Sequence, residues 1–360
     1  MPLMDWTIMR TEMPGATAAS PAPDIAGGRR LAELWSRGCE FLGTRYALLG
    51  GAMTWVSERN LVSALSNAGG FGVLACGSMP PPVLEAEIIA TRAMTDAPFG
   101  VNLITLHPDL EALIAVCANQ RVSHVVLAGG LPPAWAIEQV RKSAARVICF
   151  APALVLAKKL IRSGVDALVI EGAEAGGHIG PVATSVLAQE ILPEVRDIPV
   201  FVAGGIGRGQ AVAMFLEMGA AGCQLGTRFV CATESIAHEN FKKAFIRAAA
   251  RDAVPSVQID GRFPVIPVRA LANQASRHFM EVQRTVIERF QQGEVDQKSA
   301  QLEIEQYWAG ALRRAVIDGD VEGGSLMAGQ SVGMVKKVQP ASEIVAELIA
   351  EAMAALAPRG

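Results

Sequence analysis

The sequence predicts an α/β fold, an eight-stranded (β/α)8 TIM barrel with an additional C-terminal helical subdomain. Short apolar runs alternate with helical patterns, and eight such strand–helix units follow one another at a spacing of about 25 residues. Together they approach the roughly 250 residues that a barrel of this kind occupies. An open doubly wound sheet stays possible, since spacing does not reveal strand order, but eight regular units favour closure.

Each barrel element rests on a local pattern. The predicted strands are apolar runs bounded by turn residues, at 46–49, 71–74, 99–103, 124–128, 147–150, 167–170, 200–203 and 223–225. Helical patterns between them include 59–67, 83–94, 136–143, 154–163 and 209–218. Before the barrel, a Pro-, Ala-, Gly- and Ser-rich leader precedes a short helical pattern.

The pattern changes after Phe229. A helix over 239–251 and an extended, Pro-containing stretch over 254–268 are predicted there. Three helical patterns, at 273–291, 297–317 and 341–356, predict a helical layer or lid over the barrel mouth, with a glycine-rich loop at 323–330 returning to the ligand. We divide the chain into a leader with a short helix (1–45), a barrel core (46–232), a helical lid or subdomain with the return loop (233–340) and a C-terminal helix (341–360).

Composition excludes several classes of protein. A hydrophobic content of 51% in 360 residues can bury a large core. A net charge of −3 and a pI near 6.0 argue against nucleic acid as the main partner. The six cysteines lie far apart without a Cys-x-x-Cys pair, so we expect no metal site, no disulfide framework and a cytoplasmic location. We find neither a signal-peptide core nor an apolar span of about 18 residues, so no membrane partner is expected.

Glycine recurs where the predicted strands end, which is where barrels of this kind bind ligands. Six of the seven strand ends that we compared contain glycine, and together they comprise 50–53, 75–78, Asn102, 128–130, 171–181, 203–205 and 226–228. Such recurrence indicates a flat ligand laid close against the backbone across the barrel mouth.

The loop over 171–181 carries the strongest catalytic signal. It follows a buried strand, and its glycines surround one histidine, His178. Imidazole is the side chain whose unperturbed pKa allows acid and base work near neutral pH. A tight turn with a structural histidine is the alternative.

The loops at 203–206 and 226–228 have the chemistry of a phosphate site. Glycine clears space for phosphate oxygens, Thr227 can donate a hydroxyl, and the helix starting near Arg208 directs its positive end to the anion. Simple tight turns are the alternative. Phosphosugar isomerases and lyases, aldolases and flavin enzymes all use such loops, so they indicate a ligand class rather than a reaction.

Residues 46–335 resemble the flavin-dependent nitronate monooxygenase (2-nitropropane dioxygenase) family, which includes the enoyl-acyl-carrier-protein reductase II branch. The run Glu174-Ala175-Gly176-Gly177-His178 is the most specific of the matching segments. The others, in family order, are 51–55, 68–74, 98–102, 203–206, 226–230 and 325–330.

The resemblance implies a barrel that binds non-covalent FMN. It places the phosphate on Gly204, Gly205, Gly226 and Thr227, and it makes His178 the catalytic acid/base. The remaining implied cofactor residues are Gly51, Met53, Asn102, Ala128, Glu171, Gly176, Gly177, Ala203 and Gln330. The family's first loop usually reads Gln-Gly-Gly-Met, whereas this chain has Gly50-Gly51-Ala52-Met53, so one polar contact is missing.

Several reactions fit this resemblance. Oxidation of alkyl nitronates defines the wider family and is named first, with reduction of an enoyl thioester by NAD(P)H as a close second and NAD(P)H:quinone reduction beside it. A non-redox phosphosugar barrel is the remote alternative. An acyl carrier protein would need a positive patch, for which Lys158–Lys159 with Arg162, Lys242–Lys243 and Arg313–Arg314 are candidates; solvated helix faces are the other interpretation. The sequence leaves the oligomeric state open, with a homodimer as one option.

Other polar residues have plainer interpretations. None of His107, His124, His238 and His278 ends a glycine-rich strand, so they are interpreted as structural or solvated. Glu174 is interpreted as a carboxylate that fixes its loop by accepting backbone N–H bonds.

Overall fold

The computed structural model describes residues 26–77, 79–263, 267–307 and 310–358. The predicted leader up to residue 25 and Ser78 lie outside these ranges. The eight predicted barrel strands are all present, and their ends agree with the predictions to within two residues. In chain order the strands are β1 Leu48–Gly50, β2 Gly72–Ala75, β3 Phe99–Ile104, β4 His124–Ala128, β5 Arg146–Phe150, β6 Ala167–Glu171, β7 Gly177–His178, β8 Val200–Ala203, β9 Gly222–Leu225, β10 Ala253–Pro255 and β11 Val268–Leu271.

Eight parallel strands form the barrel in the order β1-β9-β8-β6-β5-β4-β3-β2. The two ends of this order meet through a parallel bridge between Leu49 and Phe71. There the Phe71 N–H donates to the Leu48 carbonyl at 2.8 Å, and the Gly50 N–H donates to the Phe71 carbonyl at 2.9 Å. The predicted TIM barrel is therefore confirmed. Its strands read as apolar runs because both of their faces are buried.

Helices surround the barrel and continue beyond it. In chain order they are α1 Ala26–Leu34, α2 Ser36–Leu42, α3 Arg59–Asn67, α4 Pro81–Arg92, α5 Leu110–Asn119, α6 Ala134–Lys142, α7 Leu154–Arg162, α8 Thr184–Ile191, α9 Gly209–Glu217, α10 Glu239–Arg247, α11 Gln274–Gln291, α12 Gln297–Gln306, α13 Ala311–Val316 and α14 Ala341–Leu356. Within the described ranges, no helix has the length and apolarity to cross a bilayer.

The C-terminal helix corrects one prediction. Helix α14 is not part of a lid; it packs on the flank of the barrel against α9, α1 and α3. Its buried face consists of apolar residues such as Ile344, Val345 and Leu348, so hydrophobic burial holds it there. A period-3.6 pattern shows that a helix has a buried face, but it does not show which partner covers that face.

The region between the barrel and α14 is more broken than its sequence patterns predict. The pattern at 297–317 gives two helices, and α13 is preceded by Gly310 with φ of 73°. That left-handed conformation favours glycine and is incompatible with a continuous helix. Helices α11 and α12 pack around a small separate hydrophobic cluster that includes Phe279 and Ile304.

The stretch predicted as extended over 254–268 contributes to a second sheet. This sheet has the order β10-β11-β7, and both of its pairings are antiparallel. Strand β7 belongs to the loop that follows β6, so the second sheet connects the barrel mouth to the C-terminal region. The regular structure therefore continues beyond the barrel mouth into this second sheet.

The contact between α9 and α14 gives a test of the fold. A Cβ at Gly209 would overlap the Leu348 carbonyl oxygen and lie 2.5 Å from the Ala352 nitrogen, both of them backbone atoms. We expect Gly209→Ala to lower the free energy of unfolding by about 1–3 kcal/mol through overpacking, although alanine alone would favour the helix. Urea denaturation measures this. Gly261→Ala is the control, since its Cβ would find its nearest neighbour at 3.7 Å. Equal stability of the two variants would contradict the close packing of α14 on α9.

Candidate active site

Glu174 anchors the glycine-rich loop that follows β6. Its Oε2 accepts from the Thr184 backbone N–H at 2.6 Å and from the Thr184 hydroxyl at 2.5 Å. Thr184 is the first residue of α8, so the carboxylate also caps the positive end of that helix. The Glu174 carbonyl accepts the Gln330 N–H at 2.9 Å. The structure therefore shows Glu174 in the loop-fixing arrangement interpreted from sequence.

The return loop meets this glycine-rich loop backbone to backbone. A Cβ at Gly176 would lie 2.5 Å from the Gly329 nitrogen, and one at Gly329 would lie 2.8 Å from the Glu174 carbonyl oxygen. The Gly329 N–H donates to the Thr227 hydroxyl at 2.9 Å. The return loop over 323–330 therefore lies at the barrel mouth, where it joins the end of β6 to the end of β9.

His178 lies on β7, beyond the carboxyl end of β6. It pairs with Val268 of β11, and the Ile179 N–H donates to the Pro267 carbonyl at 3.0 Å. The His178 side chain is exposed, yet desolvation by the surrounding protein lowers the pKa of its imidazole below the usual range. The ring is therefore neutral at pH 7, with one nitrogen able to accept a proton.

Arg269 is a site-supporting residue that the sequence reasoning missed. Its Nε donates to the Ala173 carbonyl at 2.8 Å and its Nη1 to the Ala253 carbonyl at 2.6 Å. Burial lowers the pKa of its guanidinium, while the Glu174 carboxylate acts in the opposite direction. Arg269 lies opposite Gly177 on the paired strand, so it supports the strand that carries His178. No local pattern distinguishes it from other arginines in an extended stretch.

Unpartnered donors collect at the ends of β8 and β9. Within the described part of the chain, the backbone N–H groups of Gly204, Gly205 and Gly226 donate to no protein acceptor. Gly204 and Gly205 have φ of 98° and 73°, which glycine adopts most readily. Buried or half-buried N–H groups without acceptors are rare, so this cluster indicates an anion from outside the chain.

The helix after β8 corrects another expectation. Its first N–H, that of Gly209, donates to Glu351 Oε2 at 2.7 Å. A carboxylate from α14 therefore already occupies the positive end of α9 that was expected to face a phosphate. The neighbouring loop N–H groups remain available, but the helix terminus is engaged.

Three polar side chains rise from the barrel strands near the mouth. Asn102 is buried on β3 and donates to the Val126 carbonyl at 3.1 Å. Glu171 ends β6 beside Ala203 of β8, and burial raises the pKa of its carboxyl to about 8. Gln224, on β9, was missed; a Cβ on Gly51 would lie 3.5 Å from its Nε2. The sequence offers one sign of Gln224, which is a polar residue inside an otherwise apolar strand.

The structure groups the other predicted residues by strand end. Gly51 and Met53 share Ser57, whose hydroxyl donates to the Gly51 carbonyl and accepts from the Met53 N–H. A Cβ on Gly226 would be 3.4 Å from the Met53 sulfur, and one on Gly177 would be 3.6 Å from the Met327 sulfur. Ala128 ends β4 opposite Ile104 of β3, the strand that also carries Asn102. These two residues therefore lie on neighbouring strands, separate from the contacts between Met53 and Gly226.

The remaining histidines and the basic groups have other contacts. His124 is buried against the Phe41 carbonyl, His238 caps α10, His107 accepts from the Asp109 N–H, and His278 contacts Glu281.

The basic residues Lys158, Lys243 and Arg313 pair with Glu194, Glu239 and Asp318, respectively. Lys242 departs from the solvated-face interpretation. It is buried, and its ammonium donates to the Ala232 and Ser235 carbonyls at 2.8 and 2.7 Å.

Comparison with known proteins gives concordant matches. The nitronate monooxygenase family model matches residues 36–117 and 110–351. The (3aS,4S,5R,7aS)-5-hydroxy-7a-methyl-1-oxo-octahydro-1H-indene-4-carboxyl-CoA dehydrogenase of Mycobacterium tuberculosis (strain ATCC 25618 / H37Rv) is 30% identical over 343 residues, which cover 87% of this chain and 95% of that protein. A nitronate monooxygenase of Paraburkholderia phytofirmans is 31% identical over 279 residues, or 64% of this chain and 75% of that protein. FabK from Thermotoga maritima superposes with a TM-score of 0.79 and is 34% identical, covering 88% of this chain and 95% of its own.

Glu171 gives a pH-dependent test of the site. Its carboxyl holds a proton in the folded chain up to a pH of about 8, whereas in the unfolded chain it ionises near pH 4.3. Between these values the folded state binds more protons, so its stability should fall as pH rises. We expect the free energy of unfolding of ligand-free protein to decline less between pH 5 and 8 in Glu171→Gln than in the parent chain. Denaturant titrations at fixed pH values measure it, and identical slopes would show that Glu171 is already ionised when folded.

Proposed function

The chain belongs to the nitronate monooxygenase family of flavin-dependent oxidoreductases, and on this premise we propose that it is an FMN-dependent oxidoreductase of acyl thioesters. His178 would handle the proton at the carbon next to the thioester carbonyl. The observation that carries the proposal is a neutral, exposed imidazole at a barrel mouth that also presents a rim of large apolar side chains.

The residues present suit the phosphate of FMN. The unpartnered N–H groups of Gly204, Gly205 and Gly226 can donate to phosphate oxygens. The Thr227 hydroxyl accepts from Gly329 and retains its own proton for a further bond. Glu171, Asn102 and Gln224 supply polar groups on the barrel side. When bound, the flavin would supply the acceptor or donor of a hydride.

His178 suits chemistry at an acidic carbon. A neutral imidazole can remove the α-proton of a thioester during desaturation, and its protonated form can return that proton during reduction of the enoyl group. The other hydrogen moves at the β-carbon as a hydride. Strand pairing with β11 and the Arg269 contacts hold the segment that carries the ring.

A large apolar substrate is supported by the apolar rim, which we define as Trp55, Leu106, Leu131 and Trp135. Their exposed fractions are 40%, 81%, 48% and 42%. They follow β1, β3 and β4, so they share the carboxyl end of the barrel. Trp55 has φ of 69°, a conformation costly for a bulky residue. Several large exposed apolar groups at the ligand-binding end of the barrel support an apolar ligand larger than a short nitronate.

The relatives and the surface charges support a coenzyme A thioester over a carrier protein. The dehydrogenase that matches 87% of this chain carries a carboxyl-CoA in its name. Of the basic groups named as candidates for a carrier-protein surface, Lys158, Lys243 and Arg313 pair with carboxylates, Lys242 is buried and Arg314 donates to the Gly323 carbonyl. Within the described ranges only Lys159 and Arg162 lack such a contact. Paired surface charges leave little positive field for an acidic protein partner.

Nitronate oxidation is the second candidate, favoured by the family model and by the Paraburkholderia relative. The same imidazole could accept a proton from the carbon beside a nitro group. NAD(P)H is a candidate electron donor in either case. Anaerobic reduction of the bound flavin by an acyl-CoA, a nitronate, NADH or NADPH separates these possibilities, and a colourless protein would leave the non-redox phosphosugar barrel.

The phosphate assignment gives a test by substitution. Gly205→Leu would place a side chain beside Glu174, whose Cβ is 2.8 Å from the added Cβ, and beside the unpartnered N–H groups. We expect the dissociation constant of FMN, measured by quenching of flavin fluorescence, to rise at least tenfold. Far-UV circular dichroism checks the fold, and Gly261→Leu is the control. An unchanged constant in a folded variant would remove Gly205 from the cofactor site.

The role of His178 gives a second test. We expect His178→Asn to retain flavin while kcat/KM for the true substrate falls by about 10²–10⁴-fold. Because the lowered pKa keeps the parent imidazole neutral at pH 7, an activity that needs the neutral ring should decline only below the usual histidine pKa. His278→Asn, on the exposed side of α11, is the control. Equal turnover of both variants would exclude His178 from the reaction.

A further inference from the structure

A cavity lies next to the predicted flavin-phosphate loops. It has a volume of about 320 Å³ and is enclosed by the start of α9, the 3-10 helix Thr227–Phe229, α14 and residues 334–339. Gly204, Gly205, Gly226 and Thr227 do not line it. We call it the Arg208–Gln339 pocket. Since the two sets of residues differ, the pocket is a separate site rather than the flavin-phosphate cradle.

Cations outnumber carboxylates around this pocket. Arg208, Arg228, Lys336 and Lys337 face two acids, Glu347 and Glu351. Both acids are already engaged. Glu347 pairs with Arg228 at 2.6 Å and with Lys337 at 3.8 Å, and Glu351 accepts the Gly209 N–H at 2.7 Å. Arg208 and Lys336 have no ion-pair partner in the described ranges, so the wall carries a surplus of positive charge.

The pocket also contains buried donors without acceptors. Arg228 is 7% exposed and Gln339 is 3% exposed. The Arg228 Nε and the Gln339 Nε2 have no hydrogen-bond partner among the described residues. The backbone N–H of the buried Gly207 likewise donates to no acceptor there. Unpaired buried donors are unfavourable, so their concentration at one cationic pocket indicates an incoming group that is rich in acceptors.

We propose that the Arg208–Gln339 pocket binds the phosphate-bearing end of a nucleotide-type ligand. A phosphate monoester carries close to two negative charges at neutral pH and three acceptor oxygens, which matches the excess of two cations over acids. The volume exceeds that of a bare phosphate, and Met334 and Leu348 add apolar wall that suits a nucleoside. The pocket is filled together with the flavin, not in place of it.

The experiment uses the flavin-loaded full-length protein and isothermal titration with inorganic diphosphate, 3′,5′-ADP and 2′,5′-ADP. We expect at least one of the two nucleotides to bind more tightly than diphosphate, without change in flavin absorbance. The preferred nucleotide reports the phosphate position that the ligand carries. Release of flavin during titration, or no detectable binding of any probe, would overturn the proposal. Equal affinity for diphosphate and the two nucleotides would show that the pocket does not recognise the nucleoside.

Variants locate the binding. Arg208→Ala combined with Lys336→Ala should weaken nucleotide binding at least tenfold, whereas Arg162→Ala combined with Lys298→Ala, two exposed cations on α7 and α12, should not. Gln339→Leu removes the unpartnered amide, so it should weaken binding while the ligand-free melting temperature stays equal or rises. Unchanged affinity in both the double variant and Gln339→Leu would place the nucleotide elsewhere.

Discussion

The backbone contact between Gly176 and Gly329 is the constraint on which the site depends. It brings the loop after β6 against the return loop, more than 150 residues later, at a distance that no side chain at either position would permit. The Glu174 carbonyl and the Thr227 hydroxyl then accept N–H bonds from the same return segment. The barrel mouth and the C-terminal region therefore form one structure, and His178 is held at their junction.

Charge and apolar surface are separated around the mouth. The ends of β8 and β9, with the adjoining pocket, concentrate N–H donors and cations. The ends of β1, β3 and β4 carry exposed apolar side chains. Between these sides, desolvation by the surrounding protein shifts the pKa values of Glu171 and His178 toward their uncharged forms. Such an arrangement orients a ligand that is anionic at one end and apolar at the other, while the reacting region stays uncharged.

Most of the fold and part of the site could be predicted from local patterns. The strands were found because barrel strands are buried on both faces, and His178 and Glu174 because glycine marks their loop. The partner of α14, the capping of Gly209 by Glu351 and the pairing of β11 with β7 were not found. Arg269, Gln224 and Gln339 were missed for the same reason, because their importance lies in contacts with distant residues.

By itself, the sequence determined the alternation of strands and helices, the glycine-rich strand ends and the presence of an imidazole after β6, since these follow from hydrophobic periodicity and the conformational freedom of glycine. Only the tertiary structure decided which donors stay unpartnered, which carboxylates are already engaged and which pKa values shift. Those properties depend on burial and on neighbours brought together by folding, and no local stretch of sequence contains them.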